Sequence, residues 1–144
     1  MSEANEQKPE EKPGVKAKDD KKPLPPEKTS VTQHTMTLDG QELAYTATTG
    51  LIHIRNEDEK ATAAIFYVAY VKDGVEDQSR RPLTFCFNGG PGSCSVWLHL
   101  GAYGPKRINM PDGVIPRPNT TQLVDNECTL LDFTDLVFID PVGT

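Results

Sequence analysis

A glycine-rich loop, N-G-G-P-G-S-C-S at residues 88–95, is the part of this sequence best suited to chemistry. It follows a short apolar stretch, residues 83–87, and leads into V-W-L-H-L at residues 96–100, which predict the first turn of a helix. Glycine lets the backbone adopt positive φ and approach another group closely, whereas Pro91 fixes one φ and lacks an N–H. Such a loop presents backbone N–H groups at the carboxyl edge of a sheet, where open α/β sheets bind ligands.

These N–H groups could hold several kinds of ligand, and the residues around the loop favour some of them over others. A phosphate-binding P-loop needs a Lys after the glycines, and none follows. A dinucleotide site needs G-x-G-x-x-G, but residues 90–95 lack the third glycine, and Asp112 lies in a Pro/Gly-rich loop instead of closing a second strand. An oxyanion hole for acyl transfer fits better, because it needs fixed donors where negative charge develops. A tight turn that binds nothing is the structural alternative.

The elements that must position this loop are predicted to be strands. Two alternating stretches, residues 34–38 and 43–54, flank the turn signal Asp39-Gly40 and predict a β-hairpin. Three further stretches are apolar almost throughout, which is typical of strands covered on both faces: residues 61–71, 83–87 and 136–140. A hairpin followed by short buried strands predicts the mixed sheet of an α/β domain.

The first thirty residues differ in composition from the rest. They contain seven Lys, seven acidic residues and five Pro, so the net charge of −6 comes from residues 31–144 (8 basic minus 14 acidic). A Pro-rich, charge-balanced stretch cannot bury enough apolar area to offset its ordering entropy. We therefore expect a disordered tail over residues 1–30, acting as a linker or a docking arm, and one domain over residues 31–144.

Composition excludes several classes of protein. No apolar run approaches the ~18 residues of a membrane-spanning helix, so no transmembrane segment is expected. There is no excess of basic residues that would indicate a nucleic-acid partner. The first thirty residues contain no hydrophobic region of the kind that a signal peptide requires.

Cysteine and histidine spacing predicts neither a metal nor another cofactor. Cys86, Cys94 and Cys128 form no C-x-x-C pair, and each is expected to be free and buried. The three histidines are scattered and are predicted to be structural: His34 and His53 in strands, and His99 on the helix.

Three stretches carry a family resemblance. T-F-C-F-N-G-G-P-G-S-C-S at residues 84–95 resembles the N-G-G-P-G-[CS]-S-S signature of the serine carboxypeptidases (peptidase family S10). Gly104-Pro105 follows at the usual interval, and residues 131–144 are similar to the segment that runs into D-x-P-V-G-T-G-[FY]-S. Proline iminopeptidases share Gly-Gly-Pro-Gly but usually have His where Asn88 stands. The resemblance implies an α/β-hydrolase fold and removal of C-terminal residues from peptides through an acyl-enzyme.

The resemblance also assigns roles to individual residues. The Gly90 N–H would be one oxyanion-hole donor. The Asn88 side chain and the Gly89 N–H would bind the terminal carboxylate, and charge-assisted hydrogen bonds of this kind are strong. Trp97 falls where the family lines the pocket for the C-terminal residue, with core packing as the alternative. The partner implied is the C-terminus of a peptide or protein.

The chain also departs from the family pattern. The nucleophile elbow G-x-S-x-G does not occur in these 144 residues, and in the family the Ser, Asp and His of the triad all follow the D-P-V-G-T segment. Ser93 and Ser95 are therefore not expected to be nucleophiles, nor Asp135 and Asp140 to be triad members. Cys94 stands one place after the cysteine that yeast and plant members pair, so its pairing is open. We expect a truncated domain, holding only the N-terminal strands of the sheet and inactive alone.

Two other functions and the location stay open at this point. The loop could belong to a non-catalytic module that binds carboxylates, or to a dinucleotide-binding half-domain. The resemblance implies a secreted, periplasmic or vacuolar protein, whereas the lack of a signal peptide and the three cysteines also suit the cytoplasm.

Overall fold

The computed structural model describes residues 23–90, 92–110, 117, 119 and 121–144. Within these ranges the strands are, in chain order, β1 (Thr29–Leu38), β2 (Gln41–Arg55), β3 (Ala61–Lys72), β4 (Leu83–Cys86), β5 (Lys106–Ile108), β6 (Leu123–Asp125) and β7 (Asp135–Asp140). The helical segments are a 3₁₀ turn at Gln78–Arg80, α1 at Val96–Leu98 and a π-helical turn at His99–Tyr103. Pro91 and Asp112, on which two of the sequence arguments depended, lie outside the described residues.

The predicted hairpin is confirmed as β1–β2. Leu38 pairs with Gln41 across the turn, and the two strands continue antiparallel to the pair Thr29–Gly50. Asp39 and Gly40 have φ of 50° and 78°. Two consecutive positive φ values match the right-handed twist of the strands, and Asp and Gly tolerate them well.

The mixed sheet is also confirmed, with strand order β1-β2-β3-β7-β4. β7 pairs antiparallel with β3 and parallel with β4, where Cys86 is opposite Phe138. A crossover that carries α1, the π-helical turn and the β5–β6 ribbon connects β4 to β7. Because β4 and β7 are parallel and in register, the residues that follow Cys86 and Phe138 reach the same edge of the sheet.

The core lies between one face of this sheet and the crossover. Every second residue of the central strands points into this core, and Leu98 and Leu130 of the crossover pack against these side chains. The buried apolar residues are Met36, Leu43, Tyr45, Ala47, Val68, Cys86, Leu131, Leu136 and Phe138.

The expectation that the apolar strands are covered on both faces is wrong for β4. In β4, Cys86 is 6% exposed, whereas Leu83 and Phe85 are 54% and 56% exposed. In β3, Tyr67 and Ala69, which point to the face opposite Val68, are half-buried. The crossover packs on one face of the sheet, so side chains that alternate with the core positions of β4 stay open.

The end of the predicted tail contacts the sheet. β1 begins at Thr29, two residues inside the range predicted as tail, and residues 1–22 of that range lie outside the described residues. Glu27 accepts a hydrogen bond of 2.7 Å from the His53 N–H, and this bond lowers the pKa of its carboxyl. The His53 ring contacts the Pro25 carbonyl at 2.8 Å, so His53 is structural as predicted.

Gly104 closes the π-helical turn where no larger residue fits. Its N–H donates to the His99 carbonyl at 3.1 Å, and a Cβ built at Gly104 would overlap that carbonyl oxygen and lie 3.0 Å from His99 Cδ2. At φ −66° the conformation itself is ordinary, so the obstacle is steric.

Gly104→Ala is therefore expected to lower the free energy of unfolding by about 1–3 kcal/mol, as overpacking does. Gly101→Ala is the matched control, because a Cβ there meets nothing within 4 Å. Urea unfolding followed by circular dichroism measures both. A Gly104→Ala chain as stable as Gly101→Ala would contradict this account of the turn.

Candidate active site

The glycine-rich loop leaves the carboxyl end of β4 in a conformation that requires glycine. Gly90 has φ of 150° and Gly92 has φ of 80°, values that residues with side chains rarely adopt. A Cβ on Gly90 would also come within 3.3 Å of Ser93 Cβ. The prediction that glycine serves the backbone path of this loop is confirmed.

The predicted carboxylate and oxyanion donors lie open in this loop. The Asn88 side chain is half-buried, and Gly89 and Gly90 are exposed. Across the described ranges, no hydrogen bond joins the Asn88 side chain or the N–H groups of Gly89 and Gly90 to another residue. Three donors that follow one another along the chain are thus available to an outside acceptor.

The turn after β7 lies against the same loop. Asp140 is two residues beyond Phe138, which is the last residue of β7 that pairs with β4. A Cβ on Gly92 would meet the Gly143 carbonyl oxygen at 3.9 Å. Two of the three sequence stretches that carry the family resemblance therefore meet at one edge of the sheet.

Asp140 links the two segments by hydrogen bonds. Its Oδ1 accepts from the Ser95 N–H at 2.7 Å and lies 2.7 Å from Ser95 Oγ, which also lies 2.9 Å from the Ile139 carbonyl. Ser95 is 2% exposed. A hydroxyl that is almost fully buried and directed at two acceptors is closed to a substrate, which argues against Ser95 as a nucleophile. The sequence predicted only that Asp140 is not a triad member, because the parallel pairing of β4 with β7 that brings it to Ser95 is a tertiary feature.

His99 packs in the core beneath the loop, as predicted. Its Nε2 is 2.6 Å from the Tyr70 hydroxyl, and its ring stacks on Phe138 with centroids 4.5 Å apart. Burial lowers the pKa of His99, and the nearby Asp140 carboxylate opposes this shift. Burial also raises the pKa of Tyr70 to about 12. The pair is therefore a neutral imidazole and a neutral phenol near pH 7.

Trp97 lies on α1, two residues after Ser95, and is 73% exposed. The alternative that Trp97 packs in the core is wrong, because α1 directs Leu98 and not Trp97 towards the buried cluster. An exposed indole beside the donor loop is available to a ligand.

Asp135 lies at the other end of β7, away from the loop. Its Oδ1 accepts from Arg81 Nε at 2.7 Å and from the Lys72 N–H at 3.0 Å, and its Oδ2 accepts from Gln78 Nε2 at 2.6 Å. These bonds use both carboxylate oxygens to fix the β3–β4 connection to β7. Asp135 is structural.

The cysteines differ in burial. Cys86 is buried, and burial raises the pKa of its thiol; Cys94 is half-buried, and all three cysteines are free. The expectation of a buried thiol is wrong for Cys128, which lies exposed after the β5–β6 ribbon. In the part of the chain that the structure describes, no group of three or more His, Cys, Asp or Glu could hold a metal ion, and no helix is long and apolar enough to span a membrane.

The fold and the loop together define an α/β protein with a donor site at the carboxyl edge of two parallel strands. The family model for serine carboxypeptidases matches residues 38–144. The chain belongs to the serine carboxypeptidase family.

A solved structure is similar to this chain, the crystal structure of Kex1(delta)p, a prohormone-processing carboxypeptidase from Saccharomyces cerevisiae. The TM-score is 0.50 and the sequence identity is 30%, over 67% of this chain and 20% of that chain. This chain thus spans a small part of that protein's length, and the similarity supports a partial α/β fold. No match was found among the curated proteins.

Proposed function

We propose that this protein serves serine-type removal of C-terminal residues from peptides, with the loop at residues 88–90 as its substrate-binding element. The observation that carries the proposal is the set of three open donors, from Asn88, Gly89 and Gly90, at the carboxyl edge of β4. They lie within the region that matches the serine carboxypeptidase family.

The resemblance to the serine carboxypeptidases assigns the donors to two different acceptors. The Asn88 amide and the Gly89 N–H hold the terminal carboxylate of the peptide, and this selects a free C-terminus because bonds to a charged acceptor are about twice as strong as neutral ones. The Gly90 N–H donates to the carbonyl oxygen that becomes negative during acyl transfer. Loss of one such donor typically slows the reaction by about 10²–10³-fold.

The chain by itself is expected to bind without hydrolysing. No G-x-S-x-G elbow occurs in the 144 residues, and the hydroxyl of Ser95 is buried against Asp140. Hydrolysis of a peptide by this chain alone would contradict this expectation.

Isothermal titration of the chain with an acetylated dipeptide acid and with its C-terminal amide tests the binding role. The acid is expected to bind at least about tenfold more tightly, since it alone offers the charged acceptor. Asn88→Ala is expected to weaken binding of the acid by about 1.5–3 kcal/mol, the range for hydrogen bonds to charged groups.

Asn109→Ala is the matched control for this titration. Asn109 is half-buried like Asn88, and its side chain makes no hydrogen bond within the described ranges; its backbone N–H donates to the Gln122 carbonyl. Its replacement is expected to leave the affinity for the acid unchanged. Equal affinities for acid and amide in the unmodified chain would contradict the carboxylate-binding role.

A further inference from the structure

We propose that Asp140 is a positioning residue for the donor loop: it holds Ser95, and through Ser95 it sets the directions of the Gly89 and Gly90 N–H groups. The inference rests on the proposed function of that loop. Asp140 does not touch the site of the donors itself, so its effect passes through the backbone between Ser95 and Gly90.

The loop has two anchors, one at each end. At its start, Cys86 is buried and pairs with Phe138 in the parallel register. At its end, Ser95 is held by Asp140 Oδ1 through both its N–H and its hydroxyl, each at 2.7 Å. For residues 88–90 and 92–94, no hydrogen bond to another described residue is present. The path of the glycines therefore depends on the positions of these two ends.

Asp140 is well placed to act as the fixed end. It closes β7, which lies between β3 and β4, and Asp140 pairs there with Phe66. Two residues earlier, Phe138 is 1% exposed in the core. A carboxylate at the end of a central, buried strand moves little, and charge-assisted bonds to it are short and strong.

The position also explains why α1 begins directly after Ser95. The N–H groups in the first turn of a helix have no partner within the helix. Ser95 is the residue before α1, and its N–H and hydroxyl both turn back to Asp140. The same contacts thus fix the start of α1, which carries the exposed Trp97, relative to the loop.

Nitrogen-15 relaxation of the ligand-free chain tests the proposal directly. In Asp140→Ala, the order parameters of the Gly89 and Gly90 amides are expected to fall from about 0.85 to below about 0.6, and amide hydrogen exchange at Ser95 to rise at least about tenfold. Amides of the β3–β7 pairing are expected to keep their order, which separates positioning from general loss of structure.

Asp140→Asn is the conservative variant that distinguishes the mechanism. Its Oδ1 still accepts from Ser95, so loop order is expected to return to within experimental error of the unmodified chain. Ser95→Ala removes the hydroxyl contacts but keeps the N–H bond, and an intermediate loss of order is expected. If Asp140→Ala does not fold, the loop order measured in Ser95→Ala still tests the proposal. Asp58→Ala, an exposed carboxylate in the β2–β3 turn, is the control.

Titration with the dipeptide acid completes the test. Asp140→Ala is expected to weaken binding of the acid about tenfold, because a loosened loop must be ordered on binding, and Asp140→Asn to bind as the unmodified chain does. Unchanged order at Gly89 and Gly90 in both Asp140→Ala and Ser95→Ala would overturn the positioning role. If the variants lose order at Gly89 and Gly90 but the unmodified chain binds the acid and the amide equally well, the positioning role is supported. The proposed function is then overturned instead.

Discussion

Arg81→Ala is expected to lower the free energy of unfolding by about 3–5 kcal/mol, the range for removing one partner of a buried ion pair. The Arg81 and Asp135 side chains are only 9% and 10% exposed, and Arg81 Nε donates to Asp135 Oδ1 at 2.7 Å. The variant leaves the Asp135 carboxylate buried without its cation. Arg81 also donates to the carbonyls of Leu131 and Asp132, so these acceptors lose a partner as well.

The adjacent residue offers a matched control. Arg80 is exposed and makes no side-chain hydrogen bond or ion pair in the part of the chain that the structure describes. Arg80→Ala is expected to change stability by less than about 0.5 kcal/mol, as surface substitutions usually do. Urea unfolding followed by circular dichroism compares the two. Equal losses from Arg80→Ala and Arg81→Ala would show that the Asp135 pair does not fix the β3–β4 connection.

Phe138→Ala is expected to destabilise the protein by about 3–5 kcal/mol, the usual cost of truncating a buried phenylalanine. Phe138 is 1% exposed and lies in the centre of β7. It stacks on His99 with centroids 4.5 Å apart and meets the edge of Tyr70 at 6.0 Å. The substitution leaves a cavity that the surrounding strands cannot fill, because they are joined to β7 on both sides.

Phe133→Ala removes the same side chain from the surface and serves as the control. Phe133 is 73% exposed, so its loss is expected to change stability by less than about 0.5 kcal/mol. A second readout is the pKa of His99, measured by proton NMR. Burial lowers this pKa, and opening a cavity beside the ring is expected to raise it towards its ordinary value. No change in either stability or the pKa of His99 would contradict this packing.

Both predictions concern the strand on which the site depends. Asp135 fixes one end of β7, Phe138 fixes its centre, and Asp140 at the other end holds the donor loop through Ser95. Substitution of Arg81 or Phe138 is therefore expected to disturb the donor loop as well, because both substitutions weaken the packing of β7. β4 is only four residues long, so its alignment depends on its pairing with β7.

The sequence by itself determined the local features of this protein. Gly90 and Gly92 adopt the positive φ values that the glycine-rich loop predicted, and Asp39-Gly40 forms the predicted hairpin turn. These features are local because glycine and proline restrict or release the backbone at their own positions. Hydrophobic alternation also predicted β1 and β2, since side chains on a strand point alternately to its two faces, and unbroken apolar runs predicted β3, β4 and β7.

Only the tertiary structure decided which distant residues meet. Asp140 binds Ser95 across 45 positions of the chain, and Arg81 binds Asp135 across 54. The exposure of Trp97 and the open face of β4 likewise depend on where the crossover packs. Periodicity indicates that a strand is apolar, but not which strands it lies between. The insertion of β7 between β3 and β4 placed Asp140 within hydrogen-bond distance of Ser95.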